Sequence, residues 1–229
     1  DNAPFHVLDE DERKSVIEAT RSVGVSLELG TRGTDPSELR TYIGLAAAAG
    51  AQILRTVPNR SIEPGNLQTS GAMIEEICRE LEQVLSDLER AEMILCLENY
   101  EGLPAQTMAD VIGRIESPHV RVCLDTLNSF GRSEGHREVV DLLAPLTGNL
   151  HMKDYTIRRA GHRLGFLVEG APTGGGVLPV RDLLSRVPED ISAIVELWTP
   201  WQGTIDDTVE LEHQWARTSI EYLMEMSNE

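Results

Sequence analysis

Short apolar runs recur along this chain, and four of them end in a side chain able to bind metal. Residues 93–97 (Met-Ile-Leu-Cys-Leu) lead to Glu98, and 120–124 (Val-Arg-Val-Cys-Leu) to Asp125. Asn149-Leu150 leads to His151, and 191–195 lead to Glu196. Short runs rich in β-branched residues and leucine predict buried parallel strands. Further strands are expected over 25–30, ending near Glu28, and over 53–57, which contains Arg55.

Helical spacing fills the gaps. Over 72–90 the residues Ile74, Ile77, Cys78, Leu81, Val84, Leu85 and Leu88 recur at intervals that line one helix face. Asp9 with Glu12 has capping-box spacing and opens a helix over 9–21. Asp35-Pro36-Ser37-Glu38 opens another, which runs to Gly50. Helices are also expected over 104–115, 136–146, within 178–187, and over 208–226. Residues 58–71 read as a polar loop. Residues 158–176 read as a long loop, basic and then glycine-rich, with one short strand at 166–168.

Strand and helix therefore alternate, which predicts parallel strands joined by right-handed crossovers. No glycine-rich phosphate fingerprint follows a strand, which argues against a dinucleotide-binding open sheet. The pattern predicts one α/β domain over 1–229, either a closed (β/α)8 barrel or an open doubly wound sheet, with the barrel favoured. About seven strands are legible, so the first strand would lie ahead of Asp1.

Composition changes this little: 41% hydrophobic types and 25% charged are ordinary values. The net charge of −18 argues against nucleic acid as a partner and suits a cytoplasmic protein. No apolar stretch is long enough to span a membrane. Cys78, Cys96 and Cys123 are far apart and read as small buried apolar residues.

The chemistry gathers at the strand ends, where active sites of alternating β/α chains lie. Glu98, Asp125, His151 and Glu196 form an oxygen-rich set with one imidazole. That set suits a divalent ion, Mn²⁺ first and Mg²⁺ or Co²⁺ next, better than structural zinc. Lys153, two residues beyond His151, points the same way along its strand and could orient an anionic oxygen. Glu28 and Arg55 could contact substrate, or form an ion pair within the barrel. Trp198 and Trp201 flank Pro200 and could wall a pocket. Arg158, Arg159, His162 and Arg163 are a basic cluster, either a solvated loop or a lid over an anion.

Five motifs carry a resemblance to a known family. They are Leu97-Glu98-Asn99; Leu124-Asp125-Thr126-x-Asn128; Leu150-His151-Met152-Lys153-Asp154; the segment from Glu169 to Gly176; and Val195-Glu196-Leu197. From about Leu39 onward the chain resembles the xylose isomerase-like TIM barrel superfamily, the sugar phosphate isomerase/epimerase group. The resemblance implies that Glu98, Asp125, His151 and Glu196 are metal ligands. It also implies that Glu98 and Glu196 shuttle a proton beside a carbonyl, as in ketose epimerases. The implied partners are a small carbohydrate or sugar acid, and a second copy in a homodimer.

Two positions leave the epimerase pattern. Asn128 stands where those enzymes usually carry a histidine, and Ile157 where they tend to carry an arginine. Asn128 can bond a substrate hydroxyl but cannot titrate. The leading expectation is a metal-dependent sugar isomerase or epimerase working through an enediolate. The first alternative is a lyase on the same scaffold, a dehydratase or a decarboxylase of a sugar-derived 3-oxo acid. A non-catalytic sugar-binding barrel is the second.

Overall fold

Asp9 caps α1 (Glu10–Ser22) in the manner its spacing predicts. Its carboxylate accepts from Glu12 N, and the Glu12 side chain accepts from Asp9 N in return. The computed structural model describes residues 5–58 and 71–227, so most of the expected 58–71 loop lies outside the described residues. The chain folds as two compact units, Asp1–Cys123 and Leu124–Glu229.

In the first unit, β1 (Leu29–Arg32), β2 (Ile53–Val57), β3 (Ile94–Glu98) and the part of β4 (Val120–Asp125) up to Cys123 pair in parallel and in chain order. The strand expected over 25–30 starts only at Leu29, where pairing with Leu54 begins. Helix α2 (Pro36–Ala49) has the expected Asp35 cap, and Gly50 closes it at φ 76°, a left-handed conformation that glycine adopts without strain.

The single helix expected over 72–90 is two, α3 (Gly71–Glu82) and α4 (Leu85–Arg90). Between them Val84 N bonds to Leu81 O, one residue tighter than an α-helical bond. The tightened turn leaves Leu81, Val84 and Leu88 all fully buried. Helix α5 (Ala105–Ile115) follows β3 and buries Met108, Val111 and Ile112.

In the second unit, α6 (His136–Leu143) stops short of the expected 146 and tightens into a 3₁₀ turn over Ala144–Leu146. Pro145 lacks the N–H that an α-helix needs. Strand β5 (Thr147–Met152) is buried along its whole length and pairs in parallel with β8 (Ser192–Val195). Helix α7 (Val180–Leu184) leads towards β8, and α8 (Ile205–Ser227) closes the described chain.

The expected long loop over 158–176 is corrected. Much of it is a hairpin of β6 (Asp154–Arg159) antiparallel to β7 (Phe166–Ala171). Ala160 N bonds to Gly165 O, and Arg163 N to Ala160 O, which closes the turn. Eight strands are described, and six of them form parallel pairs.

Candidate metal and substrate site

Asp125 is the last residue of β4 and is completely buried. Its Oδ1 accepts from Leu127 N and Asn128 N, each at 2.8 Å. The other oxygen, Oδ2, lies 2.7 Å from Lys153 Nζ. His151 lies one residue before the end of β5, and Glu196 one residue beyond β8. Glu196 N bonds to Met152 O at 3.0 Å, which fixes the glutamate beside the end of β5. His151 Nδ1 is 2.9 Å from Glu196 Oε2, and Lys153 Nζ is 3.0 Å from Glu196 Oε1.

Lys153 is thus held from several sides. It also donates to Asn128 Oδ1 at 3.1 Å. Its backbone is clamped by Thr126, whose hydroxyl accepts from Lys153 N at 2.8 Å and donates to Lys153 O at 2.7 Å. The Trp198 ring stands over the ammonium, with its centroid 5.2 Å from Nζ. A cation over an indole face is held by the ring quadrupole.

The electrostatics follow from burial and charge. Burial works against the Lys153 ammonium, but Asp125 and Glu196 outweigh it and raise the group above the ordinary lysine value. Burial likewise pushes Glu196 up. The hydrogen bond from His151 and the Lys153 charge prevail, and its carboxyl falls to about 2. Burial dominates at Asp125, whose carboxyl is raised despite Lys153 and two N–H donors.

A divalent ion fits this donor set. Asp125, His151 and Glu196 each offer a ligand atom, and these atoms lie within 4.8 Å of one another. An imidazole nitrogen with carboxylate oxygens is a donor set that divalent ions take. A divalent charge would also offset the burial of Asp125.

The remaining expected residues belong to the first unit. Glu98 ends β3, is buried, and forms an ion pair with Arg55 at 3.1 Å. Arg55 also donates to Thr31 O and packs on Gly30, whose missing Cβ leaves it room. Glu28 precedes β1 and lines a cavity of about 270 Å³ with Thr31, Arg32 and Tyr42. In the β1–β2–β3 register it falls at the opposite strand end from Glu98.

Two residues with a structural part in the site carry no role in the sequence reading. Thr126 holds Lys153, as above. Asp154 anchors the glycine segment: its carboxylate accepts from Gly174 N, Gly176 N and Leu178 N at 2.9–3.0 Å. Both stand inside the family motifs, and the run Gly174-Gly175-Gly176 is the readable signal. A Cβ at Gly176 would lie 2.1 Å from Asp154 Oδ1. Of the basic cluster, Arg158 pairs with Glu169 across the hairpin, and Arg159 lies over the Phe166 ring. The three cysteines are buried, and burial pushes the Cys96 thiol up to about 12.

Known proteins share this architecture. A family model described as Xylose isomerase-like TIM barrel matches residues 26–226. The chain is 32% identical over 226 residues to a 3-oxo-isoapionate decarboxylase of Pectobacterium atrosepticum, an alignment of 97% of this chain and 80% of that protein. It resembles a solved D-psicose 3-epimerase with D-tagatose from Clostridium cellulolyticum H10, with a TM-score of 0.71 and 14% identity over 98% of this chain and 86% of that one. It also resembles a xylose isomerase-like TIM barrel protein from Mycobacterium smegmatis in complex with magnesium, with a TM-score of 0.70 and 13% identity over 95% and 80%.

Proposed function

Because the chain belongs to the xylose isomerase-like TIM barrel family, we propose that it is a metal-dependent decarboxylase of a sugar-derived 3-oxo acid. The observation that carries this reading is the buried Lys153 ammonium, fixed by Asn128 between two ligand carboxylates. A fixed cation in the pocket suits a substrate that arrives as an anion and passes through an enolate. The decarboxylase relative, matched over 97% of this chain, supports the same choice. The order of the two enzyme readings is therefore the reverse of the sequence expectation.

Glu98, Asp125, His151 and Glu196 would hold the ion, Mn²⁺ before Mg²⁺ or Co²⁺. When bound, it supplies Lewis acidity to the substrate carbonyl. The bond between the carboxyl carbon and its neighbour breaks, CO₂ departs, and the electron pair moves onto the carbonyl oxygen as an enolate. Lys153 faces that developing charge. The carbon then takes up a proton from water, relayed by Glu98 and Glu196. Asn128, Arg55 and Trp198 are assigned to substrate contact. Glu28, at the other strand end, has the weakest claim to that role.

The second reading is a sugar epimerase, favoured by the Glu98 and Glu196 motifs that the ketose epimerases share. One experiment separates the two. The protein is incubated with Mn²⁺ and a panel of ketoses and 3-oxo sugar acids, with CO₂ release and product NMR followed in parallel. Metal-dependent CO₂ release from an acid is the expected result. Epimer formation without CO₂ would replace this reading with the second, and binding without turnover would leave a sugar-binding barrel.

A cytoplasmic homodimer belongs to the same proposal. Its support is the hairpin, where exposed Ile157, Phe166 and Val168 stand beside Arg159 and Arg163 on a chain of charge −18. Among the described residues no helix is long and apolar enough to cross a membrane.

A further inference from the structure

The Lys153 ammonium, with three N–H donors, faces three oxygens, one through a hydrogen bond and two as ion pairs. Asp125 Oδ2 lies at 2.7 Å, Glu196 Oε1 at 3.0 Å and Asn128 Oδ1 at 3.1 Å. Two of these oxygens belong to residues that offer atoms to a metal. At Asp125 one oxygen accepts from two backbone N–H groups, and Oδ2 faces the ammonium. Lys153 and an incoming divalent ion therefore contend for the same acceptors.

We propose that Lys153 is a stand-in cation, which holds the ligand carboxylates together without metal and turns two N–H donors to the substrate's anionic oxygens once metal is bound. The proposal rests on the metal-site reading above. Lys153 is well placed for both states. Thr126 clamps its backbone and Asn128 keeps one donor, so the ammonium can yield two bonds without leaving the pocket. The arrangement imposes an order, metal before substrate, because the two carboxylates hold the ammonium as ion pairs until metal takes them. It also selects for an anionic substrate, since the released donors need an acceptor under the Trp198 ring.

The test uses the full chain, Mn²⁺ and malonate, a dicarboxylate that mimics a 3-oxo acid without reacting. Calorimetric titration compares wild type with Lys153→Met at one pH and ionic strength. Losing the contending cation should tighten Mn²⁺ binding by at least about tenfold, because a like charge leaves the site. The same variant, loaded with Mn²⁺, should bind malonate at least about tenfold more weakly, for want of a charged donor. Wild type should bind malonate only after Mn²⁺.

A merely structural lysine would weaken both ligands together, so the opposite signs are the readout. Unchanged or weaker Mn²⁺ binding by a folded Lys153→Met overturns the proposal and leaves the metal reading intact. No Mn²⁺ binding by wild type overturns both. If Lys153→Met does not fold, Lys153→Gln carries the same comparison with the same expected signs.

Discussion

Asp154→Asn keeps the side chain's shape but removes its charge and replaces one acceptor oxygen with an NH₂ donor. The side chain is buried, and both oxygens are occupied. Oδ1 accepts from Tyr155 N at 2.8 Å and Leu178 N at 3.0 Å, and Oδ2 from Gly174 N at 2.9 Å and Gly176 N at 3.0 Å. Asparagine keeps the shape but offers one oxygen, so its NH₂ group must face two N–H donors. Two charge-assisted bonds of about 1.5–3 kcal/mol each are lost, and two buried donors are left unmet. Lateral escape is blocked on the Gly176 side, where even a Cβ would stand 2.1 Å from the carboxylate. Backbone relaxation recovers part of the loss, leaving about 3–5 kcal/mol. For a chain of this size each kcal/mol moves the melting temperature by about 2–4 °C, so the fall should be about 6–20 °C. Thermal melts of the metal-free protein, followed by far-UV circular dichroism and calorimetry, measure it. Asp154→Ala leaves all four N–H donors unmet and opens a cavity, so it should lower the melting temperature at least as far as the asparagine variant does. A shift under about 2 °C for Asp154→Asn would refute the reasoning, because the four N–H groups would then have other acceptors.

Two more tests address the same unit. Gly170→Ala would put a Cβ 2.3 Å from Trp198 O. It should displace the indole from Lys153, read as a fluorescence change that is absent in a Trp198→Phe background. In the metal-free protein the Glu196 carboxyl stands at about 2 against an ordinary 4.5. A depressed carboxyl contributes stability above its unfolded value and loses it as pH falls through the folded one. Wild type should therefore lose more melting temperature than Glu196→Gln between about pH 4.5 and 2. Parallel curves for the two proteins would contradict the shift.

Much of the fold is legible because its signals are local. Asp9 with Glu12, and Asp35 with Gly50, satisfy helix ends with groups a few residues away, so their spacing is readable. Apolar runs ending in Glu98 and Asp125 read as β3 and β4 because strand burial follows composition over a few residues. The misread parts depend on pairing or packing at a distance. The β6–β7 hairpin reads as a loop in the sequence, since Arg158 with Leu167 and Tyr155 with Gly170 find each other only across the turn. The break between α3 and α4 follows the burial of Val84, which periodicity alone cannot place.

The sequence by itself determined the alternation of strands and helices and the strand-end position of Glu98, Asp125, His151 and Glu196. Those features follow from short-range periodicity and from which end of a parallel strand meets the loops. Only the tertiary structure decided what the neighbouring side chains do. Asn128, Thr126 and Trp198 surround Lys153, and Asp154 gathers a glycine turn some twenty residues downstream. Arg55 turned out to be paired with Glu98, and Glu28 to stand at the far strand end. Those assignments depend on hydrogen-bond geometry between segments remote in the chain, which no pattern of polar and apolar residues encodes.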